Sequence, residues 1–239
     1  MNEYHLPFAV ALIAFCAPLP AMTVLEPDEG VMTSGFFQGT DLVRGYAGDN
    51  RPTFRVSNNN PFMTAGAETI YLSFASFDPM AFTEPVSSAI LSLTSVDGGF
   101  NANASATNPF LVSAHGVSSS PFNSIIDDTN ASGTTDWVTF FDDEILTATD
   151  SVSVDSFGVI NFDVTDLVND WISGNNGEFT IALTGKNNTS PGDFLHGFSN
   201  NTEVSGATFL TINVPEPSVI GLSALALAVG LTRRSKRSS

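Results

Sequence analysis

This chain of 239 residues is poor in cysteine and in basic residues. Its one cysteine, Cys16, lies near the N-terminus, so the rest of the chain has no thiol for a disulfide or a thiolate metal site. Four of the 8 basic residues lie at the C-terminus, which leaves residues 23–214 with 4 basic against 23 acidic residues, a net formal charge of −19. A surface of that sign repels nucleic acids, and it repels anionic polysaccharides unless cations intervene. These absences exclude nucleic-acid partners and leave stability to packing.

Histidine is also scarce, and no catalytic motif accompanies it. After the N-terminal segment only His115 and His196 remain, each beside a glycine in a loop-like stretch, which indicates side chains that face solvent or bond locally. The sequence has no Gly-x-Ser-x-Gly elbow and no histidine pair at metal-ligand spacing. We therefore predict that the protein is not an enzyme. A polysaccharide lyase or hydrolase is the alternative, because triads are spatial and two carboxylates suffice for glycoside hydrolysis.

The C-terminus combines a proline-rich turn, an apolar run and a basic cluster. In the turn, Pro215, Glu216 and Pro217, both prolines fix φ and remove a backbone donor, so the turn stays extended. The uncharged run 219–231 is shorter than the roughly 20 residues of a typical membrane-spanning helix. A basic cluster keeps its end of a chain cytoplasmic, and here it consists of Arg233, Arg234, Lys236 and Arg237. The order predicts a short transmembrane helix that holds the protein at the membrane transiently.

Residues 215–239 resemble a PEP-CTERM sorting signal, the bacterial tag whose Pro-Glu-Pro motif an exosortase protease recognises. The resemblance implies an exosortase partner and processing near Pro215 to Pro217. It also implies release or attachment at the surface of an exopolysaccharide-producing Gram-negative bacterium. An ordinary short C-terminal anchor is the alternative. At the other end, residues 1–21 predict a signal-peptide helix with cleavage after Ala21. We therefore expect an exported protein of the cell surface or extracellular matrix.

Between these ends the sequence has the period of β-strands. From Glu68 onward, Ile70, Leu72 and Phe74 alternate with smaller or more polar residues, which is typical of a half-buried strand. Similar short runs continue to Val214, with Gly, Asn and Ser between them. We interpret residues 22–40 as a linker or first strand, and residues 23–60 as containing one or two strands and a long connection. Residues 41–214 then form one all-β domain, a jelly-roll-like antiparallel β-sandwich.

One segment, TDLVNDWIS from Thr165 to Ser173, has helical spacing instead. Its apolar residues recur on one side of a helix, and Gly174 follows as a stop signal. Thr165 is the predicted N-cap. We expect one short helix that covers an open end of the sandwich.

This order of strands and helix is similar to the DNRLRE-type extracellular domain, which is related to alginate-type carbohydrate-binding modules. The similarity covers roughly Asp41 to Val214, and the matching residues are Asp163, Val164, Thr165, Leu167, Val168, Trp171, Asn175, Asn176 and Gly177. It implies a jelly-roll-like, non-catalytic domain associated with extracellular polysaccharide. A surface-coat protein of the same fold without a glycan ligand is the alternative.

Two sets of residues are candidate ligand sites. A sugar platform needs an exposed aromatic ring with a polar rim, and Tyr46 and Tyr71 are the candidates, whereas we expect Trp137 in the core. Oxygen-rich loops bind Ca²⁺, and the candidate ligands are Asp127, Asp128, Asp142, Asp143 and Glu144. The alternative is that both acidic clusters are solvated loops. No other cofactor is expected.

Overall fold

A computed structural model describes most of the chain between residues 22 and 215. The described ranges are 22–38, 41–48, 53–57, 67–97, 104–107, 109–124, 143–186, 195–200 and 206–215. Residues Met22–Val214 form one compact unit. The predicted signal helix and the segment after Pro215 lie outside the described residues, so both stay predictions. Within the described ranges, no helix has the length and apolar character needed to cross a membrane.

The described chain consists mainly of short strands, and every pairing between them is antiparallel. The strands are β1 (Met22–Leu25), β2 (Glu29–Gln38), β3 (Asp41–Gly48), β4 (Thr53–Ser57), β5 (Ala67–Ser73), β6 (Ser88–Val96), β7 (Phe110–Val117), β8 (Ile145–Val154), β9 (Gly158–Asp163), β10 (Thr180–Lys186), β11 (Leu195–Ser199) and β12 (Thr208–Asn213). The helical segments are a 3-10 turn at Pro79–Ala81, α1 (Pro121–Ser124) and α2 (Thr165–Ser173).

Sheet A is organised around β6. One edge of β6 pairs with β9, from Ile90 to Ser95. The other edge pairs with β12 along Ser88 to Leu93 and then with β11 at Ser95 and Val96. β1 continues the sheet beyond β12, and β4 continues it beyond β11.

Sheet B has the order β3-β2-β5-β10-β7-β8. The chain passes from this sheet to sheet A through the short turn between β8 and β9. Next to this turn, the Asp150 carboxylate of β8 accepts a hydrogen bond from the backbone N–H of Asp163 in β9, at 2.8 Å. Along one side, the two sheets are therefore joined by the β8–β9 turn and by this hydrogen bond.

The two sheets enclose one hydrophobic core. Sheet A contributes Leu91 and Leu93 of β6, among others, and sheet B contributes Ile70 and Leu72 of β5. Alternate side chains of a strand point to opposite faces, so these positions fix the inner face of each sheet. Full burial of one such side chain stabilises the fold by roughly 1.5–3 kcal/mol. Two antiparallel sheets around a shared core form a β-sandwich, as predicted.

Helix α2 has the predicted bounds and packs at one end of the sandwich. Its buried Trp171 contacts the rings of Phe77 and Phe179 edge-on, with centroids 5.4 and 5.7 Å apart. Gly174 adopts the left-handed conformation, with φ of 77°, and ends the helix.

The predicted N-cap of α2 is wrong. The N-cap position belongs to Val164, whose side chain makes no capping bond, and Thr165 is the first helical residue. The Asp163 carboxylate accepts a bond from the Thr165 backbone N–H at 3.0 Å. Thr165 instead accepts a bond from the backbone N–H of Ala89 at 2.9 Å, which ties the helix to β6.

The N-terminal region has more strands than predicted. Residues 23–60 contain all or most of β1 to β4, where we expected one or two strands. β2 is rich in Gly, Ser and Thr, so its hydrophobic alternation is weak. Its pairing with both β3 and β5 nevertheless makes it a strand inside sheet B.

Candidate functional site

The outer face of sheet A has one aromatic side chain within a row of three. The register places Phe209 of β12 opposite Ser92 of β6, and Ser92 opposite Asn161 of β9. Leu91 and Leu93, on either side of Ser92, are buried in the core. Ser92 and its two row partners therefore point away from the core. We call these three residues the Phe209 row.

Apolar and hydroxyl side chains flank the Phe209 row on both sides. Val24, Thr211 and Ile90 form the next row toward the start of β6, and Thr94 and Val159 form the next row toward its end. Val24 is 51% and Val159 61% exposed, and the other three are partly exposed. We call the surface formed by these side chains and the Phe209 row the outer face of sheet A.

A side-chain hydrogen bond orients the polar end of the Phe209 row. The Ser92 hydroxyl donates to Oδ1 of Asn161 at 2.7 Å. Asn161 is exposed, whereas Ser92 is covered by its neighbours. Since the amide oxygen is held by Ser92, the Nδ2 group of Asn161 has two N–H donors to offer to a ligand.

One acidic residue of these strands, Asp163, lies at the edge of this face and bonds to α2. Asp163 ends β9 and is paired with Ile90. Its carboxylate accepts bonds from the hydroxyl and the backbone N–H of Thr165, and these bonds lower the pKa of Asp163. The carboxylate is therefore bonded to the start of the helix, although Asp163 is exposed and shares the row of Ile90, so this part of the face has one acidic residue at its edge.

This arrangement is suited to binding a sugar. An aromatic ring offers an apolar surface to the C–H face of a pyranose, and amide and hydroxyl groups can pair with sugar hydroxyls. The face has no pair of carboxylates, which glycoside hydrolysis commonly uses.

The structure corrects the prediction for Tyr71 and leaves the one for Tyr46 open. Tyr71 has no exposed surface, and burial raises the pKa of its hydroxyl. A ring without exposed surface cannot stack on a glycan, so Tyr71 is a packing residue. Tyr46 lies in β3 opposite Ser34, and its side chain, like the whole of Trp137, lies outside the described part.

The predicted calcium ligands are only partly described. Asp127, Asp128 and Asp142 lie outside the described residues, and Asp143 is exposed. The Glu144 carboxylate accepts a bond from the Ser118 hydroxyl, and bonds from Ser118 and Ser119 lower the pKa of Glu144. Across the described ranges, no group of three or more His, Cys, Asp or Glu side chains could hold a metal ion. Calcium binding stays a prediction.

His115 is held between strands rather than turned freely to solvent. Its Nδ1 lies 2.9 Å from the Leu146 carbonyl oxygen, and its Nε2 lies 2.9 Å from Oγ1 of Thr184. A carbonyl can only accept, so Nδ1 donates and Nε2 accepts from the Thr184 hydroxyl. Burial lowers the pKa of His115, and the Leu146 bond opposes this shift.

His196 is fully buried on the inner face of sheet A, which corrects the prediction that it faces solvent or bonds locally. Its Nε2 lies 2.5 Å from Oγ of Ser95, and its ring packs against those of Phe157 and Phe198. Burial lowers the pKa of His196 to about 4. Within the described part of the chain, neither histidine bonds to a carboxylate, so neither forms a Ser-His-Asp triad there.

Of the predicted sorting motif, the structure describes Pro215, which is exposed. Glu216, Pro217 and the basic cluster lie outside the described residues. Sequence reasoning missed Phe209 and Asn161, although one signal was present. In TFLTIN of β12, Leu210 and Ile212 alternate with Phe209 and Thr211, which puts an aromatic residue on the face opposite the core.

Comparison with known proteins gives no relative: no protein-family model matches the chain, and no curated protein matches it. Its class therefore rests on the structure, which is an antiparallel β-sandwich whose sheet A has a partly apolar outer face.

Proposed function

We propose that the protein is an exported, non-catalytic component of the cell surface or extracellular matrix that binds polysaccharide through a jelly-roll-like sandwich. The observation that carries this proposal is the outer face of sheet A, with a partly exposed Phe209 beside an oriented Asn161 amide. Aromatic rings with polar neighbours are the usual means of holding sugar rings at an exposed surface. The similarity to the DNRLRE-type domain leads to the same function.

The terminal segments supply the proposed location. Residues 1–21 direct export, and Pro215 to Pro217 with the apolar run and basic cluster direct exosortase processing after a transient stay in the membrane. The intact mass of protein recovered from cells and medium tests this part. We expect a chain that begins after Ala21 and ends near Pro217. A chain that retains its basic tail would contradict processing.

Binding to immobilised polysaccharides tests the functional part. The full-length protein in mild detergent should bind at least one glycan, and Phe209→Ala should weaken this binding. Phe157→Ala is the matched control, because Phe157 is 55% exposed but its ring packs against the buried His196 on the inner side of sheet A. If no glycan binds, the surface-coat alternative without a ligand replaces the proposal. New reducing or unsaturated ends in the glycan would favour the lyase or hydrolase alternative.

A further inference from the structure

We infer that the ligand of the outer face of sheet A is a neutral polysaccharide whose sugar rings lie across the strands along the Phe209 row. This inference rests on the proposed function and adds the chemical class and the direction of the bound chain.

The strands that form the face determine its charge. β1, β6, β9 and β12 contain no lysine or arginine, and their one acidic residue is Asp163. Asp163 is bonded to Thr165 at the start of α2. An anionic glycan would therefore meet no cation on these four strands; the one basic residue in the strands of sheet A, Arg55, lies in β4, beyond β11. The glycan would also approach a body with a net formal charge of −19 over residues 23–214. An uncharged glycan needs no cation on the face and is not repelled by the net charge of the protein.

The two ends of the Phe209 row offer different contacts. Phe209 has a phenyl ring and no polar atom in its side chain, so it recognises the apolar C–H face of a sugar. Ile90 and Val159 extend the apolar surface in the neighbouring rows. Asn161 offers the donors of Nδ2 to sugar hydroxyls, because its Oδ1 already accepts from Ser92.

The spacing of the row sets the direction of the chain. Neighbouring strands lie about 4.8 Å apart, so Phe209 and Asn161, two strands apart, are separated by roughly 10 Å. This is the scale of a disaccharide. A glycan that lies across the strands can therefore stack one ring on Phe209 while the next hydrogen-bonds Asn161.

The experiment compares binding of the full-length protein to neutral glucan and mannan and to anionic alginate, with calcium and with EDTA. We expect the protein to bind a neutral glycan equally well in EDTA and at high salt. Phe209→Ala should weaken this binding about tenfold, the loss expected for one aromatic contact. Asn161→Ala should weaken it about fivefold through the lost hydrogen bond. Phe157→Ala should leave it unchanged. Thermal unfolding of each variant verifies its fold. If Phe209→Ala does not fold, the binding of Asn161→Ala tests the inference.

Two outcomes overturn the inference while the proposed function stands. The first is calcium-dependent binding to alginate with no binding to neutral glycans. The second is binding to a neutral glycan that Phe209→Ala weakens and Asn161→Ala does not, because the glycan would then not lie along the Phe209 row. Binding that neither variant weakens contradicts the proposed function as well, because that function rests on this face. Absence of binding to every glycan instead removes the proposed function itself.

Discussion

The outer faces of the two sheets differ, although the strands beneath them have the same alternating sequence pattern. On sheet A the outward residues of the central strands β6 and β12 are partly exposed, apart from the buried Ser92, and Val24, Val159 and Asn161 on the edge strands are exposed. On sheet B the outward residues of the central strands are buried, and they include Val31, Thr33, Thr69, Tyr71, Thr180 and Ala182. Sheet A thus has a partly exposed outer face, whereas the outward side chains at the centre of sheet B are buried.

This difference teaches that alternation identifies the inner face of a strand but does not show whether the other face reaches solvent. AETIYLS of β5 and SAILSLTSV of β6 alternate alike. A polar or small residue at an outward position is compatible with both environments, because Thr and Ala are tolerated in either. The aromatic residues Tyr71 and Phe209 therefore occupy equivalent outward positions, but Tyr71 is buried and Phe209 is partly exposed.

The largest expected effect separates these two aromatic residues directly. Tyr71→Ala should lower the free energy of unfolding by about 3–5 kcal/mol, because it leaves a cavity at a fully buried site. Phe209→Ala, at a partly exposed site, should lower it by about 1 kcal/mol. Chemical denaturation monitored by circular dichroism measures both values. Equal losses in the two variants would mean that the faces do not differ as described.

The second prediction concerns pH and compares the buried histidine of sheet A with His115 of sheet B. The pKa of His196 is about 4 in the folded protein, below its ordinary value of 6.5. The unfolded chain therefore binds more protons between these values, and stability falls as the pH drops through this window. From pH 7 to pH 5 the loss from His196 should be about 2 kcal/mol. Its buried imidazolium would add an N–H donor at Nδ1, which has no hydrogen-bond partner among the described residues.

Denaturation curves of wild type and His196→Gln at the two pH values measure this contribution. The variant should lose less stability on acidification than the wild type does. Burial lowers the pKa of His115 as well, so His115 also adds to the loss of stability at low pH. The same curves for His115→Gln measure that second contribution. An identical pH dependence of stability in wild type and His196→Gln would show that His196 does not cause the loss of stability at low pH.

Most of the fold could be predicted from the sequence wherever hydrophobic periodicity was strong. Strands β5, β6, β9, β10 and β12 and the bounds of α2 follow from the alternation after Glu68 and from Gly174. The stretches around His115 and His196 were predicted to be loop-like, and this is wrong, because they lie in β7 and β11. The four N-terminal strands could not be resolved, because the small residues of β2 leave a weak pattern and its partners β3 and β5 decide its conformation.

The candidate site could be predicted much less well than the fold. The Phe209 row consists of residues from β12, β6 and β9, which are distant in sequence and are brought together by the register. The burial of Tyr71 depends likewise on neighbouring strands and not on its own segment. A sequence pattern describes one strand at a time, whereas a site on a sheet face is a property of several.

The smallest expected effect tests how closely sheet B packs against α2, in contrast to the open face of sheet A. A Cβ added at Gly116 of β7 would lie 2.6 Å from Cδ1 of Leu167 and 3.3 Å from Nδ2 of Asn176. Gly116→Ala should therefore lower the free energy of unfolding by about 1 kcal/mol, since the Leu167 side chain must shift within a packed interior. Gly177→Ala is the matched control, because a Cβ there has no atom within 4 Å. Thermal and chemical denaturation measure both variants. If Gly116→Ala is as stable as Gly177→Ala, the end of the sandwich beneath α2 has more room than the structure gives it.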